Sequence, residues 1–171
     1  MYKFFWGIDN IESNFYPSFF QYKNLSFTCS EQAYMYEKAM YFGDAIMASR
    51  ILQLRNPAEH KKAGKLVKDF DPVIWSKVKT QYMYQVCMAK FYQNPLIRES
   101  FINSTEHLVE ASPYDLEWGI GLDAYTAVRT KEEDWPGKNL LGKVLMHVRS
   151  DLHYKINHDS VLRVMKFDNI I

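Results

Sequence analysis

The sequence predicts a mainly α-helical protein with a small antiparallel β-sheet near its N-terminus. Short aromatic runs dominate the residues before Cys29 and are typical of strands. After Cys29, apolar residues recur at helical spacing. The 171 residues suffice for one sizeable core, and no repeat, low-complexity tract or Pro/Gly/Ser-rich linker divides them. We therefore expect a single domain over residues 1–171.

Three short runs predict the strands of the sheet: YKFFW, SFFQYK and LSFT. The KNL between the last two runs is typical of a hairpin turn. We therefore expect these runs to pair in one small antiparallel sheet.

Six later stretches predict helices: SEQAYMYEKAMYF, DAIMASRILQL, PAEHKKAGKLVKDF, DPVIWSKVKTQYMYQVCMAKFYQ, PLIRESFINST and LLGKVLMHVRSDL. Pro57 suits the first turn of the third stretch, and the fourth is expected to be one long helix ending before Asn94. Asn139 suits the N-cap of the last helix. Its core-facing stripe is predicted to be Leu141, Val144, Leu145, Val148 and Leu152. After Leu152 we expect a closing strand or a loop.

Composition and charge narrow the classes of function. The formal net charge is +1, so the whole protein exerts no strong attraction on nucleic acid or anionic membranes. The N-terminus lacks the pattern of a signal peptide and no apolar run is long enough for a membrane span, which predicts a cytoplasmic protein. Cys29 and Cys87 follow no metal-ligand spacing and the five histidines are scattered. The sequence therefore predicts no disulfide, no metal and no cofactor.

Glu31 is the first candidate site residue. It stands three residues after Thr28 in TCSE, which is the spacing of a capping box, so a structural role also explains it. Lys38 lies two turns further along the same helical face. An acid and an amine on one stripe can bind a sugar or a phosphate, although a solvated helix face has the same pattern.

The stretch EASPYDLEWGIG carries the second group of candidates. Asp115 follows Pro113 and suits a turn in which its carboxylate accepts backbone N–H groups. Trp118 offers a flat face for stacking, and Gly119 beside it allows a ligand to approach the backbone closely. This combination suits a site for a ligand that carries a nucleobase.

Further candidates are polar residues outside these two stretches. Lys79 and Lys90 fall on one stripe of the predicted long helix and can border the same cleft, although a helical lysine is usually solvated. Asn14 lies in the short SNF motif. An N-cap role alone explains Asn139, and a favourable interaction with the helix dipole explains Arg149.

Five fragments together resemble the NADAR family, also called YbiA-like. They are SNF, SEQAYMYEKA, AKFYQNPLIRESFINST, LVEASPYDLEWGIGL and GKNLLGKVLMHVR. They stand in the order and spacing of the family from about Asn14 to Leu152, and residues 153–171 form an extension without a counterpart. The resemblance implies a multihelical, YbiA-like fold.

The resemblance also implies an enzyme that hydrolyses the N-glycosidic bond of a phosphorylated riboside. Two substrate classes are implied: a ribosylamino-pyrimidine phosphate of the riboflavin pathway, and an ADP-ribosylated base, including a modified base of nucleic acid. The alternatives are a non-catalytic module that binds ADP-ribose or a nucleotide, and a plain helical interaction domain. The expected partner is thus a small molecule or a modified base, and no membrane is expected.

The motifs of the family match individual residues of this sequence. The acidic residue of the SEQ-type motif falls on Glu31, and the D-x-x-WG motif falls on Asp115 and Trp118, so Glu31 and Asp115 are the expected catalytic residues. The expected substrate-binding residues are Asn14, Lys38, Lys90, Trp118, Gly119 and Asn139. After the WG pair, many relatives carry a polar, glycine-rich run, whereas this sequence carries Ile120, Leu122 and DAYTAVRTKEEDWPG. This departure bears on which substrate is bound.

The expected mechanism follows from the charge of the transition state. Breaking a ribosyl C–N bond develops positive charge on the sugar, which a carboxylate in a dry cleft stabilises. We expect Glu31 to do this or to activate the attacking water. Asp115 would share the task or bind ribose hydroxyls, Trp118 would stack on the base, and Lys38 would bind the phosphate.

Overall fold

The protein is mainly α-helical, as the sequence predicts. The structure, a computed structural model, describes the backbone of residues 1–168 and the side chains of residues 1–156 and 158; residues 169–171 of the predicted extension lie outside the described residues. The helices are α1 (Ser30–Tyr41), α2 (Ala45–Gln53), α3 (Pro57–Gly64), α4 (Pro72–Ser76), α5 (Lys79–Gln93), α6 (Pro95–Asn103), α7 (Ala124–Ala127) and α8 (Leu140–Asp168). The strands are β1 (Tyr2–Phe5), β2 (Phe20–Tyr22), β3 (Leu25–Phe27) and β4 (His107–Glu110).

The predicted hairpin is confirmed by strands β2 and β3. They pair antiparallel, with Tyr22 opposite Leu25. The two residues between them, Lys23 and Asn24, have φ angles of 49° and 63°. Positive φ at both central residues is the geometry of a type I′ turn, whose twist matches the twist of the flanking strands.

The first aromatic run does not join this hairpin, so the expectation of one sheet from three runs is wrong. Strand β1 instead pairs in parallel with β4, with Tyr2 opposite His107 and Phe5 opposite Glu110. A parallel pair needs a long crossover connection, and its partner strand therefore lies far away in the sequence. This pairing places Glu110 at the end of a strand inside the domain.

The expected long helix over residues 71–93 is wrong as a single unit. Helix α4 ends at Ser76 and α5 begins at Lys79. The Val78 N–H bonds the Trp75 carbonyl oxygen at 3.1 Å, an i-to-i−3 bond that tightens the chain at this point. The turn lets the buried Trp75 ring stack on Tyr82, with centroids 5.5 Å apart.

Helix α8 continues to Asp168, so the expected strand or loop after Leu152 is wrong. The predicted core stripe is confirmed, because all five of its residues are buried: Leu141, Val144, Leu145, Val148 and Leu152. A Cβ added at Gly142 would lie 2.1 Å from the Leu108 carbonyl oxygen, so this glycine allows α8 to approach β4 closely. Within the described residues, no helix combines the length and the apolar character that crossing a membrane requires.

The main core lies between the helices α5, α6 and α8 and strand β1. Phe91 of α5 and Phe101 of α6 are fully buried and stack in parallel, with ring centroids 3.8 Å apart. This core supports α1 on one side and the end of β4 on the other, and the two elements face each other across a cavity.

Replacing Phe101 by Ala should lower the free energy of unfolding by about 3–5 kcal/mol, because it leaves a cavity against the Phe91 ring. Urea denaturation measures this loss. Leu96→Ala on the same helix is the matched control, since Leu96 is 87% exposed and its truncation should change stability by no more than about 0.5 kcal/mol. Equal stabilities of the two variants would contradict the assignment of this core.

Candidate active site

One cavity of about 210 Å³ brings together most of the predicted site residues. It lies between α1, α3, the loop before β2 and the segment after β4. Of the predicted residues, those that line it are Asn14, Glu31, Lys38, Asp115 and Trp118. Among the further lining residues are Tyr34, whose ring stands between Glu31 and Lys38 in the sequence, and four residues without a predicted role: Trp6, Lys61, Lys65 and Glu110.

Glu31 lies in the first turn of α1 and is only 5% exposed. Its backbone N–H donates to the Asn14 carbonyl oxygen at 3.0 Å, and no hydrogen bond from the described residues reaches its carboxylate. The capping-box interpretation is wrong, because the Thr28 N–H and hydroxyl both donate to Gln32 Oε1. The carboxyl group of Glu31 is therefore available to the cavity.

Burial dominates the electrostatics of Glu31. It raises the pKa of the carboxyl to about 7; the Asp115 charge raises it further, while Lys61 and Lys38 act in the opposite direction. A carboxyl group with a pKa near neutrality exchanges protons readily at physiological pH, which general acid–base catalysis requires.

Asp115 is held by its own loop, so its predicted role in a turn is confirmed. Its Oδ1 accepts the N–H groups of Glu117 at 3.0 Å and Trp118 at 2.8 Å. Its Oδ2 accepts a bond from Lys61 Nζ at 3.3 Å. Burial raises the pKa of Asp115, but the Trp118 N–H and Lys61 outweigh burial and hold the pKa below its usual value. Asp115 is therefore a fixed negative charge at the cavity.

Hydrogen bonds to both backbone polar groups of Trp118 fix its position. Its backbone N–H donates to Asp115 Oδ1. Its carbonyl oxygen accepts the Leu141 N–H at 3.0 Å, which joins the loop to the start of α8. Its ring meets the buried Tyr34 ring edge to face, at 5.5 Å and 80°. The indole is thus pre-oriented at the cavity wall.

Glu110 is the acidic lining residue that sequence reasoning missed. Its Oε2 is buried and has no hydrogen-bond partner among the described residues. Burial raises its pKa to about 8; Asp115 and Glu31 raise it further, and Lys61 opposes them. The signal in the sequence is an acid at the end of the short run HLVE, but its burial becomes apparent only once β4 is known to pair with β1.

Three lysines, Lys38, Lys61 and Lys65, also line the cavity. Lys38 Nζ donates to the Gly64 carbonyl oxygen at 2.9 Å and lies 3.6 Å from the centroid of the Phe70 ring, and burial lowers its pKa. Lys61 and Lys65 follow on α3 and at its C-terminal end, one helical turn apart. The spacing in KKAGK is the only sequence signal for this pair. Positive charge thus lines the same cavity as the three carboxyl groups, and Lys61 pairs directly with Asp115.

The sequence profile of the NADAR domain matches residues 4–153. The chain belongs to the NADAR family. A protein of Acanthamoeba polyphaga mimivirus named as an N-glycosidase is 38% identical over 88% of this chain and 95% of its own length. Protein irg-1 of Caenorhabditis elegans is 40% identical over 88% of this chain and 81% of its own length.

Two further comparisons extend this picture. A riboflavin biosynthesis protein of Vibrio vulnificus is 27% identical over 82% of this chain but only 35% of its own length. The NMR structure of the E. coli protein YbiA superposes with a TM-score of 0.72 at 24% identity, covering 90% of this chain and 85% of YbiA. The fold of this NADAR protein is therefore YbiA-like.

Three predicted substrate-binding residues lie behind the cavity wall of this NADAR protein rather than on it. Lys90 is buried, and its Nζ donates to the carbonyl oxygens of Ile11 at 2.7 Å and Ser13 at 2.9 Å. Burial lowers its pKa to about 8. Lys90 therefore holds the loop that carries Asn14. The expectation that Lys90 borders the cleft is wrong, because Lys90 does not line the cavity.

Asn139 and Gly119 support the end of strand β4, next to the cavity. The Asn139 amide donates to the Leu108 carbonyl oxygen at 2.9 Å and accepts the Glu110 N–H at 3.0 Å, so it clamps the end of β4. A Cβ at Gly119 would lie 2.9 Å from the Glu110 carbonyl oxygen, so the glycine is needed for close packing. Neither residue lines the cavity.

The remaining candidates also lie outside the cavity lining. Lys79 pairs with Glu117, next to Trp118 in the loop. Arg149 Nη1 lies 3.5 Å from the Ser104 hydroxyl. Within the described residues, no group of three or more His, Cys, Asp or Glu side chains is arranged to hold a metal ion.

Replacing Lys90 by Met should lower the free energy of unfolding by about 1–3 kcal/mol, because one buried and one partly buried carbonyl group lose their donor while the aliphatic stem stays. Urea denaturation measures this loss, and Lys77→Met, at an exposed lysine, is the control. If Lys90→Met is as stable as Lys77→Met and only ligand affinity falls, Lys90 contacts the ligand and the supporting role is wrong.

Proposed function

We propose that this protein is an N-glycosidase that hydrolyses the ribosyl C–N bond of a phosphorylated riboside. The observation that carries the proposal is that Glu31, Asp115 and Trp118 line the same cavity. The relative named as an N-glycosidase, which matches over nearly its whole length, supports the reaction class.

Asp115 and Glu31 suit two requirements of the reaction: stabilising the positive charge on the ribose and removing a proton from the attacking water. Positive charge develops on the ribose as the C–N bond breaks, and the ionised Asp115 stabilises it from a fixed position. Glu31 accepts a proton from the attacking water, because its pKa of about 7 leaves much of it ionised at neutral pH. Both effects gain strength from burial, since a low dielectric screens charges less than water does.

The base and the phosphate of the ligand match the other residues that line the cavity, namely Trp118 and the lysines. Trp118 stacks on the base, held in place by Tyr34. The cavity of about 210 Å³ is smaller than the roughly 300–1,000 Å³ of typical ligand pockets. We place the base and the ribose in this cavity and the phosphate beside its lysines. Lys61, which is about half exposed, and Lys65 add to the predicted role of Lys38 there.

Two substrate classes share this ribosyl C–N bond and a phosphate. A ribosylamino-pyrimidine phosphate is supported by the relative named as a riboflavin biosynthesis protein. An ADP-ribosylated base offers the same reacting centre, and the near-neutral net charge favours a single base over extended contacts with a duplex. Assaying both classes side by side distinguishes them.

A non-catalytic binding module is the alternative function. It would gain nothing from three carboxyl groups beside an anionic ligand, and a buried acid with a raised pKa costs stability once it is ionised. Such perturbed acids in a cleft are typical of catalysis. We therefore favour hydrolysis.

Replacing Glu31 by Gln should lower kcat/KM by about 100-fold or more, because the amide cannot accept the proton of the attacking water. Released base, separated by chromatography from a panel of ribosylated bases, measures turnover. Glu59→Gln, at an exposed acid of α3, is the control and should retain full activity. Normal turnover by Glu31→Gln would remove Glu31 from the mechanism.

Glu31→Gln should also unfold at a higher temperature than the wild type at pH 8. The pKa of Glu31 is about 7 in the folded protein and about 4.3 when unfolded, so folding takes up a proton between these values. The stability of the wild type therefore falls as pH rises through this window, and Gln abolishes that loss. Thermal unfolding at pH 5 and pH 8 measures the difference. A variant destabilised at both pH values would indicate a structural role.

Replacing Trp118 by Leu should weaken substrate binding by about 1–3 kcal/mol, because stacking on the base is lost. Trp118→Phe keeps a flat ring and should lose less. Substrate affinity measured by calorimetry on the Glu31→Gln background, where turnover is slow, separates binding from turnover. Equal affinity of the Leu variant and its parent would exclude stacking.

A further inference from the structure

The three carboxyl groups of the cavity have very different hydrogen-bond environments. Asp115 accepts two backbone N–H groups and Lys61. Glu31 accepts none from the described residues, but Lys61 and Lys38 act on its charge. Glu110 has a buried Oε2 with no partner among the described residues. Neighbouring acids with unlike environments take unlike roles in catalysis.

We propose that Glu110 is the general acid of this site and protonates the leaving base through its carboxyl group, whose buried Oε2 has no hydrogen-bond partner among the described residues. The inference rests on the proposed N-glycosidase function and assigns a role that Glu31 and Asp115 leave open.

The backbone of Glu110 is fixed more firmly than that of a loop residue. It ends strand β4 opposite Phe5 of β1. Its N–H donates to Asn139 Oδ1 at 3.0 Å, and its carbonyl oxygen accepts the Ile120 N–H at 3.0 Å. A catalytic group on a rigid element keeps its geometry better than one on a free loop. Asn139 is therefore a positioning residue for this acid.

The charges around Glu110 favour its protonated form. Asp115 of the loop and Glu31 of α1 both disfavour a third negative charge, and Lys61 of α3 opposes them only in part. Lys38 and Lys65 also line the cavity. Burial is the largest cause and acts in the same direction, so that the pKa of Glu110 is about 8 while that of Asp115 lies below its usual value. At neutral pH the cavity thus holds a charged acid and a protonated one.

The proton balance closes with these residues alone. The C1′–N bond breaks with its electron pair going to the base nitrogen, which takes the proton of the Glu110 carboxyl. Water attacks C1′, and its released proton goes to the Glu31 carboxylate. Glu110 is then ionised and Glu31 protonated, and exchange with solvent restores both. The net reaction adds one water across the C–N bond and needs no oxidant or reductant.

Glu110→Gln tests this role, because the amide has the same shape but cannot donate a catalytic proton. The expected result is a fall in kcat of about 10²–10⁴-fold with little change in KM. The loss should be largest for the ribosides whose leaving base is hardest to expel without protonation. In the wild type, kcat/KM should fall as pH rises through about 8, and this alkaline limb should be absent in Glu110→Gln.

Two further variants separate catalysis from structure. Glu110→Asp should restore part of the activity and of the alkaline limb, because it returns an acid at a shifted position. Glu106→Gln, four residues earlier and outside the cavity lining, should retain wild-type activity. Thermal unfolding establishes that each variant is folded before kinetics are compared.

The outcomes distinguish the two proposals. A wild-type protein that releases no base from any riboside of the panel overturns the N-glycosidase function and the acid role with it. An active wild type with an equally active Glu110→Gln overturns the acid role alone. So does a loss in Glu110→Gln that is the same for every leaving base and keeps the alkaline limb, since that pattern indicates a structural effect.

Discussion

The burial of carboxyl groups beside one small cavity is the constraint on which the rest of the site depends. Removing an acid from water costs free energy unless hydrogen bonds or positive charges compensate it. At Asp115 the hydrogen bonds and Lys61 outweigh the cost of burial, whereas at Glu110, whose Oε2 has no partner among the described residues, burial prevails. This unequal compensation gives chemically identical groups different protonation states in the same space.

The scaffold behind the cavity explains why these groups stay in place. Lys90 holds the loop of Asn14 through two backbone carbonyls, and Asn139 clamps the end of β4. Gly119 allows the Trp118 loop to pack against that same strand end. These residues are polar or small for structural reasons, although their position near the site makes them resemble ligand contacts in the sequence.

The composition of the site was partly predictable from local patterns. Glu31 shares a helical stripe with Lys38, and Trp118 stands in a loop that combines an acid, an aromatic ring and glycine. Glu110 and Lys61 carry no such signal, because an acid at a strand end and a lysine on a helix are usually solvated. Only the parallel pairing of β1 with β4 and the packing of α3 against α1 bring them to the cavity.

The sequence by itself determined the helical class, the β2–β3 hairpin and the buried stripe of α8, because hydrophobic spacing and turn chemistry act over a few residues. Only the tertiary structure decided where β1 pairs, where the helix over 71–93 breaks, and which polar residues reach the cavity. These features depend on contacts between segments far apart in the chain, and burial, which sets the pKa of each acid, exists only once those segments pack.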